Sequence, residues 1–361
     1  MDIREISSEK IIEFLQQNNE KLFRANQLHN WLWQKNVTSF EEMINIPNHL
    51  KEKLKTNFSF LQTKIEKEVV SVDKTIKFLF GLFDGEQIEG VLIPSQGRVT
   101  ACLSSQVGCP LKCTFCATGT LGFTRNLRFW EIIDQYILLN RRAVETFGIP
   151  ISNIVLMGMG EPLLNYDNVR KAIDRLTSHE GNALSPSRIT LSTVGITDGI
   201  RKLADEGFKA NLAVSLHVAD NDKRSQLIPV NQTNTLQKLQ EALRYYVEKT
   251  AQRITIEYVL LHNVNDSLED AQKLCQFCKA FPVKINIIEY NATHSVYQPS
   301  TPEKKATFTA LLESKNLIVN VRQSRGKDIA AACGQLMGKI TMLCLPIFYY
   351  ICQLFEKTDY F

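Results

Sequence analysis

The sequence has no apolar segment near its start of the kind that directs a protein out of the cell. Residues 1–12 are charged from the outset, with no apolar signal core and no small-residue cleavage site. We therefore expect a cytoplasmic protein. In that reducing compartment the nine cysteines are not expected to form a disulfide framework. Metal ligands, redox thiols and buried apolar side chains are the alternatives.

A strong charge of one sign, internal repeats and low-complexity runs are also missing from the sequence. A formal net charge of +4 over 361 residues permits a polyanionic partner without requiring one. Hydrophobic residues make up 44% of the chain and charged residues 22%, as in globular proteins rather than disordered ones. The length suits one large domain with an appendage, or two ordinary domains.

The longest apolar stretch lies near the end of the chain, from Ile340 to Phe355. It falls short of the roughly 20 residues that cross a bilayer, and Pro346 interrupts it. We expect this tail to pack against the rest of the chain or to form a dimer contact, and no membrane is expected as a partner. Cys344 and Cys352 in the tail are interpreted as apolar packing residues.

Local patterns predict a small helical region followed by alternating strands and helices. N-terminal helices are expected at 8–18, 25–34 and 48–57, and a hairpin is expected around the Asp84-Gly85 turn. Six strand–helix units then indicate a parallel sheet, open or closed into a partial barrel. The predicted strands are 99–104, 154–157, 188–193, 210–216, 253–260 and 284–288, and the predicted helices are 129–147, 165–177, 198–206, 236–250, 267–281 and 302–315. We divide the chain into domains at 1–94, 95–326 and 327–361.

Three cysteines after the first of these strands stand at the spacing C-x3-C-x2-C. They are Cys109, Cys113 and Cys116, in a segment rich in Gly, Ser and Thr. Thiolates at such spacings hold iron–sulfur clusters, and three of them leave one iron of a [4Fe–4S] cluster open to a cofactor. This pattern is typical of radical S-adenosylmethionine (SAM) enzymes. A zinc site would need a fourth ligand, which the loop lacks, and chance core thiols would not suit so polar a segment.

The second strand of the series ends in the glycine-rich sequence GMGEP at 158–162. The third glycine of a dinucleotide fingerprint is missing, and so is the Lys-Ser/Thr of a phosphate loop. Glycine permits close approach of the backbone, and the Glu161 carboxylate can pair with an ammonium group such as that of SAM. Alone, this loop could be an ordinary turn, but beside the cysteine loop it indicates SAM binding.

Together with DIAAACGQL near the C-terminus, these motifs resemble those of dual-specificity RNA methyltransferases that act on C2 of adenine. The resemblance extends through FRANQLHNWLWQK, IEGVLIP, CLSSQVGC, GMGEPLLNYDNV, ITLSTVGI, IEYVLL, HNVNDS and RGKDIAAACGQL. The family fold is α/β: a partial (β/α)6 TIM-like barrel, the radical SAM core, with a small N-terminal helical domain and a β-hairpin extension. The predicted alternation agrees with it.

The resemblance implies a role for each matching residue. Cys333 matches a thiol that a first SAM methylates, and a second SAM supplies the radical that removes a hydrogen atom from that methyl group. The carbon radical adds to adenine C2, and Cys102 then attacks Cys333 to form a transient disulfide that releases the product. Glu89 matches the proton acceptor. The matching SAM-binding residues are Gly160, Glu161, Ser192, Ser215, Leu216, His217 and Asn291.

Ordinary structural roles are the alternatives for several of these residues. Cys102 could be a buried strand thiol, Cys333 a small apolar filler, Glu89 a solvated strand residue and His217 a core histidine. Outside the resemblance, a C-x2-C pair within a predicted helix, at 275 and 278, is best interpreted as packing.

The family implies 23S ribosomal RNA and transfer RNAs as substrates, one [4Fe–4S] cluster per chain with SAM as cofactors, an electron donor such as flavodoxin, and a monomer. Basic residues near the two cysteine segments are candidates for phosphate contacts, namely Arg125, Arg128, Arg322, Arg325 and Lys327. Methylation of adenine C8 is the competing activity. A non-catalytic iron–sulfur or zinc protein that binds RNA is the competing class.

Overall fold

Three helices form the N-terminal region, as the apolar periodicity predicts. The computed structural model describes residues 1–293 and 295–338 of the chain. Helix α1 spans Ser8–Gln17, α2 spans Phe23–Trp33 and α3 spans Asn48–Asn57. The Ser7 hydroxyl accepts a hydrogen bond from the backbone amide at the third position of α1, which caps the helix.

A ten-stranded mixed sheet forms the centre of the molecule. The strands, in chain order, are β1 Lys64–Val70, β2 Ile76–Gly81, β3 Gln87–Ser95, β4 Arg98–Cys102, β5 Gln106–Gly108, β6 Phe123–Asn126, β7 Asn153–Leu156, β8 Ile189–Thr193, β9 Asn211–Ser215, β10 Ile254–Leu260, β11 Val283–Glu289 and β12 Ile318–Arg322. The order in the sheet is β1-β2-β3-β4-β7-β8-β9-β10-β11-β12, while β5 and β6 pair separately. The pairs from β1 to β4 are antiparallel and those from β4 to β12 are parallel.

Helices connect the parallel strands. They are α4 Ala117–Thr120, α5 Phe129–Phe147, α6 Tyr166–Thr177, α7 Thr197–Asp205, α8 Asn221–Leu227, α9 Leu236–Thr250, α10 Leu268–Cys278 and α11 Pro302–Ser314. The exception is α4, which lies between the antiparallel β5 and β6. All seven residues of β10 are buried, as in parallel sheets that are covered on both faces. The predicted fold class, a partial (β/α)6 barrel with an N-terminal helical region and a hairpin extension, is confirmed.

Several strands and helices escaped the sequence patterns, among them β5, α4 and β6, which are only three or four residues long. Strand β12 is an exposed edge strand of five residues, so it carries no continuous apolar run. Helix α8 reads NDKRSQL and has only two buried residues, Arg224 and Leu227, so it shows no apolar periodicity. The sheet itself runs past Pro94, because β3 pairs with β4, and the division into three domains stays a prediction.

The carboxyl ends of the parallel strands meet at one edge of the sheet, where open α/β folds place their sites. The cysteine loop follows β4 and the glycine-rich loop follows β7. Ser192 lies near the end of β8, and Ser215 is the last residue of β9. The topology therefore gathers the predicted SAM and cluster residues at this edge.

The helical connections bury the C-x2-C pair of α10, since Cys275 and Cys278 both lie in the main apolar core, as expected of packing residues. Within residues 1–293 and 295–338, no helix combines the length and apolarity that a bilayer span requires. The apolar tail from Ile340 to Phe355, with its two cysteines, lies outside the described residues.

A buried charge network joins the N-terminus to the core. Arg4 donates from Nη1 to Asp134 of α5 at 2.6 Å and from Nε to Asp2 at 2.8 Å. Its guanidinium also lies 4.5 Å from the ring centroid of Trp130 and 5.0 Å from that of Phe60. One side chain thus ties the first residues of the chain to α5 and to the segment before β1.

Replacing Arg4 by leucine leaves two buried carboxylates without their partner, so Arg4→Leu is expected to cost about 3–5 kcal/mol of unfolding free energy. Burial, only partly offset by Arg4, raises the native pKa of Asp134 to about 6, so the stability due to this group falls as the pH rises from about 4 to about 6. Without Arg4 that pKa rises further. The variant should therefore lose more stability at about pH 8 than at about pH 5 in urea unfolding.

The matched control is Arg142→Leu, which removes ion pairs with Glu68 and Glu145, whose side chains are 34% and 64% exposed. This change is expected to cost less than about 1 kcal/mol. Equal losses in the two variants would contradict the assigned importance of the Arg4 network.

Candidate active site

The cysteine loop lies between β5 and α4, and backbone contacts hold both of its ends. Gly108 has a φ of +73°, and a Cβ there would meet the Gly122 carbonyl oxygen at 2.0 Å, so only glycine fits. The Cys109 amide donates to that carbonyl at 2.7 Å. Within the loop, the Cys116 amide donates to the Cys113 carbonyl at 3.2 Å. The three cysteines are thereby fixed in one compact segment.

The three thiols of this loop interact electrostatically. Burial, followed by the charges of Cys116 and Glu161, raises the pKa of Cys109 to about 12. Burial likewise raises the pKa of Cys113 well above its usual value, and the charges of Cys116 and Cys109 add to the effect. Neighbouring thiols of this kind release their protons when they become metal ligands.

The surroundings of the loop fit a [4Fe–4S] cluster. In the part of the chain that the structure describes, no three His, Cys, Asp or Glu side chains form a group suited to a single metal ion. A cubane does not need such a group, because each thiolate binds a different iron. Cys109 packs in an apolar cluster with Val194, Val218 and Leu227, and the Phe115 ring meets the His217 ring edge-on. An apolar shell of this kind controls solvent access to a metal group.

A segment far along the chain docks onto the cysteine loop. The Ala117 amide donates to the Gly334 carbonyl, and the Thr118 hydroxyl donates to the Leu336 carbonyl, both at 2.7 Å. These bonds place Cys333 beside the loop. We call residues 326–338, which include Cys333, the carrier segment.

Cys102 and Cys333, which are distant in sequence, lie close enough to interact electrostatically. Burial, followed by the charge of Cys333, raises the pKa of Cys102 to about 12. Cys333 as a residue is exposed to solvent, but its thiol is surrounded by protein. Burial of the thiol, followed by the charge of Glu257, raises its pKa. Both thiols are free. The two cysteines that were predicted to be catalytic therefore lie near one another in the fold.

Glu89 is fully buried, which rules out the alternative of a solvated strand residue. One carboxylate oxygen, Oε1, lies 2.8 Å from Nζ of Lys77, and the other, Oε2, accepts a hydrogen bond from the Met337 amide at 2.7 Å. Burial raises the pKa of Glu89, while the Lys77 charge opposes that rise. The structure thus connects Glu89 to the carrier segment.

The glycine-rich loop after β7 positions Glu161 through backbone contacts. Gly160 has a φ of +100°, and a Cβ there would lie 2.5 Å from the Gln106 Cβ. The Gln106 side chain accepts from the Glu161 amide at 2.8 Å. The Glu161 carboxylate accepts from the amides of Val194 at 2.8 Å and Leu163 at 3.0 Å. Burial nevertheless raises its pKa to about 7, and a cation beside it would favour its ionised form.

The other predicted SAM residues lie at the ends of β8, β9 and β11. The hydroxyls of Ser192 and Ser215 are 3.4 Å apart. Leu216 is fully buried, and its carbonyl accepts a hydrogen bond from Arg224 Nε at 3.1 Å. His217 accepts from the Val259 amide through Nδ1 at 3.1 Å, and burial followed by the charge of Arg224 lowers its pKa to about 3.

Asn291, which follows β11, donates a hydrogen bond to the carrier segment and has a second polar atom, Oδ1, without a hydrogen-bond partner among the described residues. Its Nδ2 lies 3.4 Å from the Cys333 carbonyl oxygen, to which it donates. Its Oδ1 is buried and has no hydrogen-bond partner among the described residues. A buried acceptor without a partner is costly unless a ligand supplies a donor. This orphaned oxygen therefore fits a bound small molecule.

Three buried charged residues of the site were not predicted from the sequence: Lys77, Arg224 and Glu257. Arg224, in α8, donates to the Leu216 and Val194 carbonyls and so ties the loops after β9 and β8 together. Glu257 lies in β10 and accepts from Asn286 at 2.8 Å. A charged residue within an otherwise apolar strand, as in KFLF or ITIEYVL, is a signal that could have identified Lys77 and Glu257.

Three of the five basic residues proposed as phosphate contacts are engaged in ion pairs. Arg125 pairs with Asp84 and Glu131, Arg128 pairs with Glu5, and Lys327 pairs with Glu289. The other two, Arg322 and Arg325, lie on β12 and in the following segment. The role of all five in RNA contact stays a prediction.

Comparisons with known proteins place these features in a family. A family model described as the radical SAM superfamily matches residues 103–278. A second, described as the ribosomal RNA large subunit methyltransferase N-terminal domain, matches residues 1–59. The first model covers the chain from the cysteine loop to the end of α10, and the second covers the three N-terminal helices.

Curated relatives are similar over nearly the whole chain. One from Cytophaga hutchinsonii is 48% identical over 338 residues, covering 93% of this chain and 93% of the relative. One from Christiangramia forsetii is 47% identical over 339 residues, covering 94% and 96%. Both carry the name "Probable dual-specificity RNA methyltransferase RlmN". A solved radical SAM methyltransferase structure from Sphaerobacter thermophilus matches with a TM-score of 0.88 and 37% identity, covering 94% of this chain and 100% of that one.

The close approach at Gly160 gives a test of the loop geometry. Gly160→Ala should cost about 1–3 kcal/mol more unfolding free energy than Gly85→Ala, because only the former places a Cβ against Gln106. Gly85 is a matched control, since its φ of +86° strains alanine similarly but nothing lies within 4 Å of the added atom. Chemical denaturation measures the unfolding free energy of both variants. Equal losses would show that the close approach to Gln106 does not destabilise Gly160→Ala.

Proposed function

This chain belongs to the dual-specificity RNA methyltransferase family of the radical SAM superfamily, and we propose that it methylates C2 of adenine in 23S ribosomal RNA and in transfer RNA. It is a SAM-dependent RNA methyltransferase; the atom, the two RNA classes and the route are our proposal. The observation that carries the proposal is the meeting of Cys102, Cys333 and the cysteine loop at one edge of the sheet. Radical cleavage of SAM alone requires only that loop, whereas two further thiols suit a methyl carrier and its release.

The cofactor residues support this proposal by their chemistry. Cys109, Cys113 and Cys116 would hold a [4Fe–4S] cluster, which supplies the electron that cleaves SAM to a 5′-deoxyadenosyl radical when both are bound. Glu161 would pair with the ammonium group of SAM, and its raised pKa is that of a buried carboxylate in need of a cation. The unpartnered Asn291 Oδ1 offers an acceptor for a donor on the same cofactor.

In the proposed reaction Cys333 carries the methyl group to the base. Adenine C2 is not nucleophilic, so a polar methyl transfer cannot reach it, whereas a carbon radical can. The exposure of Cys333 supports access to both cofactor and RNA. Glu89 would then accept the C2 proton, a role that suits a carboxylate whose pKa burial has raised.

Cys102 would release the methylated RNA by attacking the Cys333 sulfur: the S–S bond forms, the bond from that sulfur to carbon breaks, and the carbon takes up a proton. A thiol reductant would then have to reduce the disulfide before the next turnover. A thiolate is the attacking species in such an exchange. Part of the rise in the Cys102 pKa comes from the charge of Cys333. A Cys333 sulfur that is bonded to carbon carries no charge that could oppose ionisation of Cys102. Burial, the larger cause of the raised Cys102 pKa, remains at that stage.

Two cysteine variants test the carrier route. Cys333→Ala should assemble its cluster normally, as seen in the visible absorption spectrum, but should not methylate RNA. Cys102→Ala should load and transfer the methyl group once and then remain covalently attached to the RNA, because nothing breaks the Cys333 adduct. Gel electrophoresis with labelled RNA detects that adduct. Normal turnover by Cys333→Ala would refute the carrier route.

The methylated atom is tested by its product. RNA incubated with the reconstituted wild-type enzyme, SAM and a reductant should yield 2-methyladenosine on digestion and mass spectrometry, from both ribosomal and transfer RNA. RNA treated in the same way with Cys333→Ala is the control. Finding only 8-methyladenosine would overturn the assignment of C2. A protein that forms no 5′-deoxyadenosine would instead support the non-catalytic alternative.

A further inference from the structure

We propose that Lys77 is a positioning residue for the carrier segment, and that its ion pair with Glu89 clamps the two sides of the Cys333 loop at once. The inference rests on the proposed function for the role of Cys333, but the contacts that define the clamp do not depend on it. Glu89 enters this inference as an anchor of the segment, in addition to its proposed role as proton acceptor.

The register of the hairpin brings the two charges together. In the antiparallel pair of β2 and β3, Glu89 lies opposite Leu79, and Lys77 lies opposite Val91. Lys77 and Glu89 are therefore diagonal neighbours on one face, within reach of a long side chain. Their side chains are 3% and 0% exposed, so neither charge is screened by water. A lysine buried this deeply is retained only with a partner.

The pair contacts the chain on both sides of Cys333. On the N-terminal side, Lys77 Nζ donates to the Ala330 carbonyl at 3.1 Å. On the C-terminal side, Glu89 Oε2 accepts from the Met337 amide at 2.7 Å. The ammonium and the carboxylate are themselves 2.8 Å apart. A single ion pair thus closes a loop of chain that begins at Ala330, passes through Cys333 and ends at Met337.

The middle of this span has contacts of its own, since the carbonyls of Gly334 and Leu336 accept hydrogen bonds from α4. The ion pair holds the two ends of the span. Asp328 accepts from the Ser71 hydroxyl and from the Val72 amide, which anchors the carrier segment before Ala330. Asp73 accepts from the Gly326 amide at 3.0 Å. These bonds attach the start of the segment to the turn between β1 and β2. They do not reach Met337, whose amide is held by Glu89.

The strength of the Lys77–Glu89 clamp depends on the negative charge of Glu89. Lys77 of β2 is the charged group that acts on this carboxylate, and the backbone of Met337 and Gly338 faces it from the carrier segment. Protonation of Glu89 removes the attraction for the ammonium and weakens the acceptor for the Met337 amide. A Glu89 that has accepted a proton therefore holds the carrier segment less tightly than an ionised one.

Hydrogen exchange of the purified protein without cluster or RNA tests the clamp directly. In Lys77→Met, amide exchange in peptides covering residues 330–337 should be about tenfold faster or more than in the wild type, because both anchors loosen. Peptides from α9 should be unchanged. The matched control is Lys74→Met, which removes an exposed lysine from the turn between β1 and β2 and should leave exchange at 330–337 unaltered.

A second readout separates positioning from a general loss of structure. Removal of the Lys77 charge raises the pKa of Glu89 further, so the acidic limb of the pH–rate profile of methyl transfer should move to higher pH in Lys77→Met. A merely structural defect would lower the rate by the same factor at every pH. If the wild type transfers no methyl group, the proposed function fails, and the exchange measurement still decides the clamp.

The exchange rates and the folding of two variants decide whether the clamp exists. Exchange at 330–337 that equals the wild-type rate in folded Lys77→Met overturns the proposal. If that variant does not fold because Glu89 is left buried without its cation, the double variant Lys77→Met/Glu89→Gln removes both charges and should fold, with the same fast exchange at 330–337. Failure of both variants to fold, or slow exchange in the double variant, also overturns it.

Discussion

The site depends on the docking of the carrier segment onto the cysteine loop. The carbonyls of Gly334 and Leu336 receive hydrogen bonds from Ala117 and Thr118, which directly follow the last of the three cluster cysteines. In the chain, Cys333 follows β12, the outermost strand on one side of the sheet, whereas the strands β1 to β3 lie on the other side. These two bonds, together with the contacts of Lys77 and Glu89, hold it near Cys102. Every later step of the proposed chemistry requires that proximity.

Burial of ionisable groups is the second constraint on the site. Cys102, Glu89, Glu161 and Glu257 all have raised pKa values because the surrounding protein disfavours their charged forms. Such groups are costly to a fold, since their ionisation is suppressed and their partners must be provided. Their concentration where the strand ends meet indicates that the site, rather than the stability of the sheet, determines their presence. The compensating cations are few, with Lys77 beside Glu89 and Arg224 beside the loops of β8 and β9.

Much of the fold follows from sequence because the barrel is built from regular strand–helix units. The predicted helices at 129–147 and 236–250 match α5 and α9 residue for residue, since long apolar periods with clear caps leave little freedom. Strand β12 and helix α8 were missed because one is an exposed edge and the other is short and polar. The identity of the site residues came from motifs and family resemblance. Their mutual contacts did not, because Lys77 and Ala330, or Cys102 and Cys333, are brought together by tertiary structure that no local pattern encodes.

The surroundings of His217 determine both the charge of its imidazole and the ring nitrogen that carries the proton. Its pKa of about 3 keeps the imidazole neutral under ordinary conditions, and its Nδ1 already accepts a hydrogen from the Val259 amide. A neutral ring whose Nδ1 is an acceptor must carry its one proton on Nε2. His217, which follows β9, therefore presents one N–H group, at Nε2. This group keeps its proton at ordinary pH, and Nδ1 and Nε2 do not exchange their roles as acceptor and donor. In the reaction we propose, neighbouring groups change protonation or covalent state, whereas the Nε2–H of this ring stays a hydrogen-bond donor throughout.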